Sequence, residues 1–254
     1  MEFFDSHSHY NDEKYDEDRN SLINKIYKEG ITRTVCIGYN LEKSKFALDI
    51  ANEFQFIYAS CGISPNDIED FTEENLEKIE KMAKSDKVVA IGEIGLDYYW
   101  NKENKEAQKE LFIKQIEIAN KLEKPVIIHT RDAVMDTLEI LKSNPVKQKG
   151  IFHCCPLNLE LIKEGVKLGF YISFSGNITF KNAKSERAVL EVPNEKILIE
   201  TDCPYLTPEP FRGKRNDSTK VKLVADKIAE IKNMQIEEIA SITYQNAINV
   251  FKIK

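Results

Sequence analysis

The amino-acid sequence predicts an α/β protein of the (β/α)8 (TIM) barrel class, with one domain over residues 1–254. Eight short, β-rich apolar runs recur along the chain, and amphipathic segments separate them. Strands that alternate with helices favour a parallel sheet, and 254 residues is the size of eight such units. An open, doubly wound sheet is the alternative, and the lack of a GxGxxG turn after the first run is a minor argument against it.

The predicted strands follow one another without a linker, a low-complexity run or an internal repeat. In chain order they span residues 3–5, 34–37, 56–61, 88–92, 126–129, 151–153, 170–174 and 197–200. Two of the intervening segments have apolar residues at helical spacing, with one apolar face each. These residues are Phe46, Ala47, Ile50, Ala51 and Phe54 in the first segment, and Val221, Val224, Ala225, Ile228 and Ile231 in the second.

Composition restricts the class of function. The net charge of -6 argues against an extended, non-specific nucleic-acid surface, which needs a basic face. No run is apolar enough to cross a membrane, and the N-terminus does not resemble a signal peptide. The five cysteines form no CxxC pair, so we expect free thiols in a reducing cytoplasm. A monomer is the favoured oligomeric state.

Residues that bind metal ions cluster at the ends of the predicted strands. They are His7, His9, Glu93, His129, His153 and Asp202, and they include all four histidines of the chain. His7 and His9 are two residues apart, so in an extended segment they point to the same side. The carboxyl ends of barrel strands meet on one face. We therefore expect these six side chains to form one metal site.

The predicted site also indicates a type of substrate. Two divalent ions bring four positive charges, of which Glu93 and Asp202 offset two, so the remaining field favours an anion such as a phosphodiester. Arg131 follows His129, and Arg212 and Arg215 lie in the loop after the last strand. Each is a candidate phosphate contact. The alternatives are a salt bridge from Arg131 to Asp132 or another acid, and a solvated loop at 211–216.

Six motifs in this order resemble the TatD family of metal-dependent deoxyribonucleases, over essentially the whole chain. They are DSHSH (5–9), GEIGLDY (92–98), PVIIHTRDA (125–133), SFSG (173–176), ETDCPYL (200–206) and RGKRN (212–216). The resemblance implies an amidohydrolase-like TIM barrel that holds one to three divalent ions (Zn, Mg or Mn) on the six residues above. It also implies hydrolysis of phosphodiester bonds in DNA, from a 3′ end and on single-stranded substrate.

Two segments depart from the family pattern. The family often has Gly-x-His-Pro-His after the third strand, where this chain has Ser64 and Asn66 in the histidine positions. Relatives usually continue Cys-Phe-Ser-Gly after the histidine at 153, whereas here Cys155 and Pro156 follow Cys154. A serine cannot replace an imidazole as a base or ligand at neutral pH. Both departures concern substrate preference and rate more than metal binding.

The residues suggest a division of roles. Glu93 would bridge two ions, His7, His9 and Asp202 would hold one, and His129 and His153 would hold the other. Asp202 would orient or deprotonate the attacking water.

Several neighbouring roles and functions stay open. Glu200 would orient a ligand histidine or be a buried acid paired with a lysine or arginine. Asp97, Tyr98, Tyr99 and Trp100 are expected in the loop after the fourth strand, where the aromatics would stack on a base or form a hydrophobic lid. The alternative functions are deacylation of an ester or amide such as an aminoacyl-tRNA, and a catalytically weak nucleic-acid-binding scaffold.

Overall fold

The computed structural model describes residues 1–253, and the strands of this range form one parallel sheet. The strands are β1 Phe3–Ser8, β2 Ile31–Ile37, β3 Ile57–Cys61, β4 Val88–Asp97, β5 Val126–Arg131, β6 Gly150–Phe152, β7 Tyr171–Phe174 and β8 Ile197–Ile199. The helices are α1 Arg19–Lys28, α2 Leu41–Glu53, α3 Glu73–Met82, α4 Lys105–Leu122, α5 Val134–Ser143, α6 Leu159–Lys167, α7 Ser185–Glu191, α8 Val221–Lys232 and α9 Ile236–Phe251.

The sheet closes into a barrel. Each strand pairs in parallel with the next one in the sequence, from β1 to β8. Ser8 forms a bridge with Cys203, and the His9 backbone N–H donates to the Cys203 carbonyl at 2.8 Å, which joins the last segment to the first. The sequential strand order has no reversal point, so the doubly wound alternative is excluded and the predicted (β/α)8 barrel is confirmed.

The amino-terminal end of the barrel is filled by α9. Phe251 stacks on Phe4 of β1 with ring centroids 5.9 Å apart, and Ile253 joins the same buried cluster. A second, larger cluster fills the space between the strands and the surrounding helices. In α8 the predicted apolar stripe packs into that cluster from Val221 to Ile231. The carboxyl end of the barrel is left as the face on which polar side chains gather.

Several strand boundaries differ from the predicted ones. β1 continues to Ser8 and β4 to Asp97, whereas β6 ends before His153 and β8 ends before Glu200. The predicted fourth strand was too short because Glu93 interrupts the apolar run. The strand continues since β5 supplies backbone partners as far as the Asp97–Arg131 pair. Gly95 permits this close approach: its φ is +136°, and a Cβ there would lie 2.0 Å from the His129 carbonyl oxygen.

Within residues 1–253, no helix combines the length and the apolar composition that a membrane span requires.

Candidate metal centre

The six predicted donors converge at the carboxyl end of the barrel. His7 lies near the end of β1 and His9 just beyond it, Glu93 and His129 lie within β4 and β5, and His153 and Asp202 follow β6 and β8. Their side chains are buried or nearly so. Two of the groups that could hold an ion are His7–His9–Glu93 and Glu93–His129–His153, each with its donor atoms within 4.8 Å of one another. Both groups contain Glu93.

The first half of the centre joins β1 to the segment after β8. His7 Nε2 lies 3.1 Å from His9 Nε2, and Asp202 Oδ1 lies 3.2 Å from the His9 nitrogen and 3.5 Å from the His7 nitrogen. Glu93 Oε2 is 3.5 Å from His7 Nε2. Two imidazole nitrogens and two carboxylates therefore face one small volume.

The second half joins β4, β5 and the segment after β6. His129 Nδ1 lies 3.1 Å from His153 Nε2, and Glu93 Oε1 is 3.0 Å from the former and 3.2 Å from the latter. The two oxygens of Glu93 thus face different histidine pairs. This is the arrangement that a carboxylate shared by two ions requires.

The donor chemistry fits divalent ions. In each half of the centre two imidazole nitrogens lie 3.1 Å apart, so both lone pairs can reach one ion. Carboxylates and imidazoles together suit zinc, manganese and similar ions. No lysine or arginine in residues 1–253 forms a salt bridge with any of the six donors. A cation is therefore the natural counter-charge for this cluster.

Burial and charge act in opposite directions on these groups. Burial raises the pKa of Glu93, but the charge of His153 outweighs this effect and holds the pKa well below its usual value. Burial lowers the pKa of His153, but the charges of Glu93 and Glu200 hold it well above the usual value. The pKa of His7 is lowered by burial and by the charge of His153. Positive charge is therefore drawn strongly to the carboxylates of this centre.

Asp97 is the functional residue that the sequence did not reveal. It was expected in a loop with the following aromatics, but it ends β4 with its carboxylate buried, and its Oδ2 accepts a hydrogen bond from His129 Nε2 at 3.0 Å. Burial opposes ionisation of Asp97, but the bonds from His129 and the Trp100 N–H lower its pKa to about 2. Because Nε2 then carries the proton, the Nδ1 lone pair of His129 faces the centre. The even spacing from Glu93, four residues along an extended strand, was the signal available in the sequence.

Glu200 is placed against His153 on the side away from Glu93. Its Oε1 lies 3.4 Å from His153 Nδ1 and accepts a hydrogen bond from the Cys154 N–H at 2.6 Å. No lysine or arginine of the described chain pairs with it. The geometry corresponds to the role of orienting a ligand histidine, not to that of a buried acid in a salt bridge.

Asp5 ties the first strand to the segment that carries Asp202. Its carboxylate accepts from the Thr201 N–H at 2.9 Å, from Thr201 Oγ1 at 2.6 Å and from Ser218 Oγ at 2.6 Å. Complete burial raises its pKa to about 7, although these bonds oppose the shift. Asp5 therefore contributes to the position of His7 and Asp202 without facing the centre.

These neighbours change the expected charge balance. The sequence argument set only Glu93 and Asp202 against two divalent ions. With Asp97 and Glu200 in contact with ligand histidines, four carboxyl groups would stand against the four positive charges of two divalent ions. A strong residual positive field at the metal site is thus no longer an argument for an anionic substrate. Attraction of an anionic substrate therefore has to come from lysine or arginine side chains at the rim of the site.

The three arginines predicted to contact phosphate lie in different environments. Arg131 ends β5 and is exposed, with its guanidinium 3.8 Å from the Tyr99 ring centroid. Arg212 is exposed and lies over Phe180 at 4.1 Å. Neither forms a salt bridge within residues 1–253, and the alternative Arg131–Asp132 pair is not formed there.

Arg215, unlike Arg131 and Arg212, is engaged in contacts within the protein. It forms a double ion pair with Asp18 at 2.9 and 2.6 Å and also donates to the Lys14 carbonyl at 2.7 Å. These contacts occupy the guanidinium and fasten the loop after β8 to the segment before α1. They favour a structural role for Arg215, so phosphate contacts are better assigned to Arg131 and Arg212.

The segments that depart from the family pattern are ordered by local contacts. Ser64 Oγ donates to Asp67 Oδ2 at 2.6 Å, within its own turn. Asn66 Nδ2 donates to Asp97 Oδ2 at 3.2 Å, so this position contacts the carboxylate that orients His129. Cys155 is buried, while the Cys154 N–H holds Glu200. Both segments therefore support groups around the centre.

Fold and site together define a (β/α)8-barrel protein with a buried histidine–carboxylate centre at the carboxyl end of its strands, the architecture of a metal-dependent hydrolase. Residues 4–252 match the family model described as TatD related DNase. The chain is 48% identical over 252 residues to the uncharacterized metal-dependent hydrolase YabD of Bacillus subtilis, covering 98% of this chain and 99% of that protein. It therefore belongs to the TatD family and is a metal-dependent hydrolase.

Two further relatives agree with this assignment. The uncharacterized metal-dependent hydrolase YcfH of Escherichia coli K12 is 38% identical over 258 residues, covering 100% of this chain and 97% of that protein. The crystal structure of YjjV, a TatD homologue from E. coli, superposes with a TM-score of 0.94 at 26% identity, over 99% of this chain and 98% of that one. Both comparisons span the whole barrel.

Proposed function

We propose that the protein hydrolyses phosphodiester bonds in DNA, removing nucleotides from the 3′ end of single strands. The observation that supports this most is the position of Glu93, whose two oxygens face two histidine pairs. Two divalent ions a few ångströms apart suit in-line displacement at phosphorus, where both the entering and the leaving oxygen need charge stabilisation. The description of the matched family model as a DNase agrees with this substrate.

The proposed ligand sets follow the two halves of the centre. His7, His9 and Asp202 would hold one ion, His129 and His153 would hold a second, and Glu93 would contribute to both sets. Bound divalent ions supply an activated water and a Lewis acid at neutral pH. Asp97 and Glu200 fix the orientation of His129 and His153 and so keep their donor nitrogens directed at the centre.

Asp202 is proposed as the base that takes a proton from the attacking water. Its Oδ1 faces His7 and His9, whereas its Oδ2 has no hydrogen-bond partner within residues 1–253. Burial raises the pKa of Asp202, but the hydrogen bond from His9 and the charge of His7 hold it below the usual value. The carboxylate is therefore ionised at neutral pH, and its free oxygen is available to accept a proton.

Rim cations are proposed to hold the strand. Arg131 and Arg212 both present guanidinium groups without an acidic partner in the described chain, and a guanidinium can bind a phosphate with two parallel bonds. Two such contacts suit the end of a strand, in agreement with a net charge of -6 that leaves no broad basic face.

A substrate panel tests the proposal. The purified protein with magnesium or manganese is offered 3′-labelled single-stranded DNA, the same sequence as RNA, and an aminoacylated tRNA. We expect DNA to be shortened from its 3′ end, and Asp202→Asn and His129→Ala to abolish this, with Arg215→Ala as a matched surface control. Release of the aminoacyl group alone would indicate the deacylase instead. Binding of DNA with no hydrolysis of any substrate would indicate a scaffold.

A further inference from the structure

Two exposed aromatic rings stand beside the metal centre. Three aromatics follow β4 directly, and they behave differently: Tyr98 is only 7% exposed, and its hydroxyl donates to Asp136 Oδ2 at 2.7 Å. Tyr99 and Trp100 are 49% and 66% exposed. A hydrophobic lid would bury its rings against the barrel, so that interpretation fits Tyr98 and not its two neighbours. Two large adjacent rings left in water need another explanation.

The two rings are held in a fixed arrangement. Asp97 Oδ1 accepts from the Tyr99 N–H at 2.9 Å and from the Trp100 N–H at 3.0 Å, which fixes the backbone of the turn. The rings meet edge to face, with centroids 4.8 Å apart at 89°. The Arg131 guanidinium lies 3.8 Å from the Tyr99 ring centroid and 5.5 Å from that of Trp100. The indole is therefore supported on its neighbours while most of its surface stays accessible.

This cluster, which we name the rim platform (Tyr99, Trp100 and Arg131), is adjacent to the metal centre. Asp97 links the two directly: one oxygen holds the turn, and the other accepts the His129 Nε2 proton at 3.0 Å. Arg131 is paired with Asp97 across β4 and β5 and lies two residues beyond His129. Two strand residues span about 6.6 Å. A group stacked on the platform thus lies about one nucleotide from a phosphate at the centre.

We propose that the rim platform is a subsite for an unpaired nucleobase of the substrate strand. The base stacks on the exposed face of Trp100, and the Arg131 guanidinium binds the phosphate beside that base. Aromatic faces bind bases of any sequence, and arginine adds a contact to the charged backbone. Because a base inside a duplex has both faces covered, the subsite selects strand ends or single strands. This inference rests on the proposed phosphodiesterase function.

The sole tryptophan of the chain makes the subsite directly observable, since Trp100 provides all of the tryptophan fluorescence. The probes are a phosphorothioate single-stranded oligonucleotide, which resists hydrolysis, and an abasic strand with the same number of phosphates, each added to the magnesium-loaded protein. We expect the strand with bases to quench the fluorescence and the abasic strand to have little effect. Equal quenching by both strands, or no quenching by either, would overturn the subsite.

Steady-state kinetics provide a second, independent test of the rim platform. Trp100→Ala is expected to raise KM for the strand with bases about tenfold or more, while Trp100→Phe keeps most of the affinity. The ratio of KM values for abasic and normal strands should then fall towards one. Tyr27→Ala is the matched control, because Tyr27 is 51% exposed and packs on Phe56, which precedes β3 at the opposite end of the barrel.

The two hypotheses fail in different ways. Hydrolysis of both strands, without base-dependent quenching and with Trp100→Ala unchanged in KM, overturns the rim platform alone. Hydrolysis of neither strand by the metal-loaded protein overturns the proposed function, and the fluorescence experiment still decides whether the platform binds bases.

Discussion

Replacing Asp97 with asparagine changes one carboxylate oxygen beside His129 into an amide nitrogen. In the native protein Oδ1 accepts two backbone N–H groups, from Tyr99 and Trp100, and Oδ2 accepts from His129 Nε2 and from Asn66 Nδ2. The new carbonyl oxygen will keep the Oδ1 position, because the alternative leaves two backbone donors facing an NH2 group. The NH2 group of the variant then faces His129.

This exchange reverses the proton position on His129. An NH2 group can only donate there, so Nε2 has to accept and the ring proton moves to Nδ1. A protonated Nδ1 cannot bind an ion at the position between His153 and Glu93. Loss of such an orienting partner typically costs about 10- to 100-fold in metal affinity. That corresponds to about 1.4–2.7 kcal/mol at 25 °C.

Titration calorimetry with zinc or manganese measures the effect, and circular dichroism establishes that the variant is folded. Asp136→Asn is the matched control, since Asp136 accepts a hydrogen bond from the Tyr98 hydroxyl in the same region and does not contact His129. We expect weakened metal binding in Asp97→Asn and unchanged binding in the control. A folded Asp97→Asn protein that binds the ion as tightly as the wild type would refute the tautomer argument.

Three further predictions concern the rim and the titration of the centre. Arg131→Ala should raise KM for a DNA strand about tenfold with a smaller change in kcat, measured by steady-state kinetics, and an unaltered KM would remove Arg131 from substrate binding. Arg215→Ala, which deletes the ion pair with Asp18, should lower the free energy of unfolding by about 1 kcal/mol or less, measured by denaturant titration, and leave KM unchanged. A larger effect on KM than that of Arg131→Ala would show that Arg215, and not Arg131, contacts the phosphate. Burial lowers the pKa of His153, but the charge of Glu93 holds it well above normal, and ligation requires the neutral ring. Calorimetry between pH 6 and 8 should therefore show affinity rising with pH, by about tenfold per unit for each displaced proton, and a flat profile would contradict this competition.

The fold was predictable because each of its parts has a local signal. Apolar runs of strand length alternate with stripes of helical spacing, as from Val221 to Ile231, and a regular alternation of this kind has few architectures available. The donor residues were found for a related reason. His7, His129 and His153 lie within two residues of a strand end, and the topology of a parallel barrel brings those ends together.

What the sequence did not reveal depends on contacts between distant positions. The partnership of Asp97 with His129 follows from the register of β4 on β5, which apolar periodicity does not specify. Arg131 and Arg215 looked equivalent as candidate phosphate contacts. Only the folded chain brings Asp18, 197 positions earlier, against Arg215 and leaves Arg131 on an aromatic face. Contacts of Asp97 with His129 and of Glu200 with His153, also between distant positions, changed the expected charge balance of the centre.

Under the proposed function, the histidine–carboxylate centre holds divalent ions that the protein needs to cut DNA. The most direct test strips the protein with a chelator and adds back one type of ion in increments, with bound metal and 3′-nucleotide release measured on the same samples. We expect no release from the stripped protein and release that rises with bound metal, with Asp202→Asn inactive at full metal occupancy. Release that is independent of metal content, or that persists in Asp202→Asn and in His129→Ala, would contradict a metal-dependent cleavage at this centre.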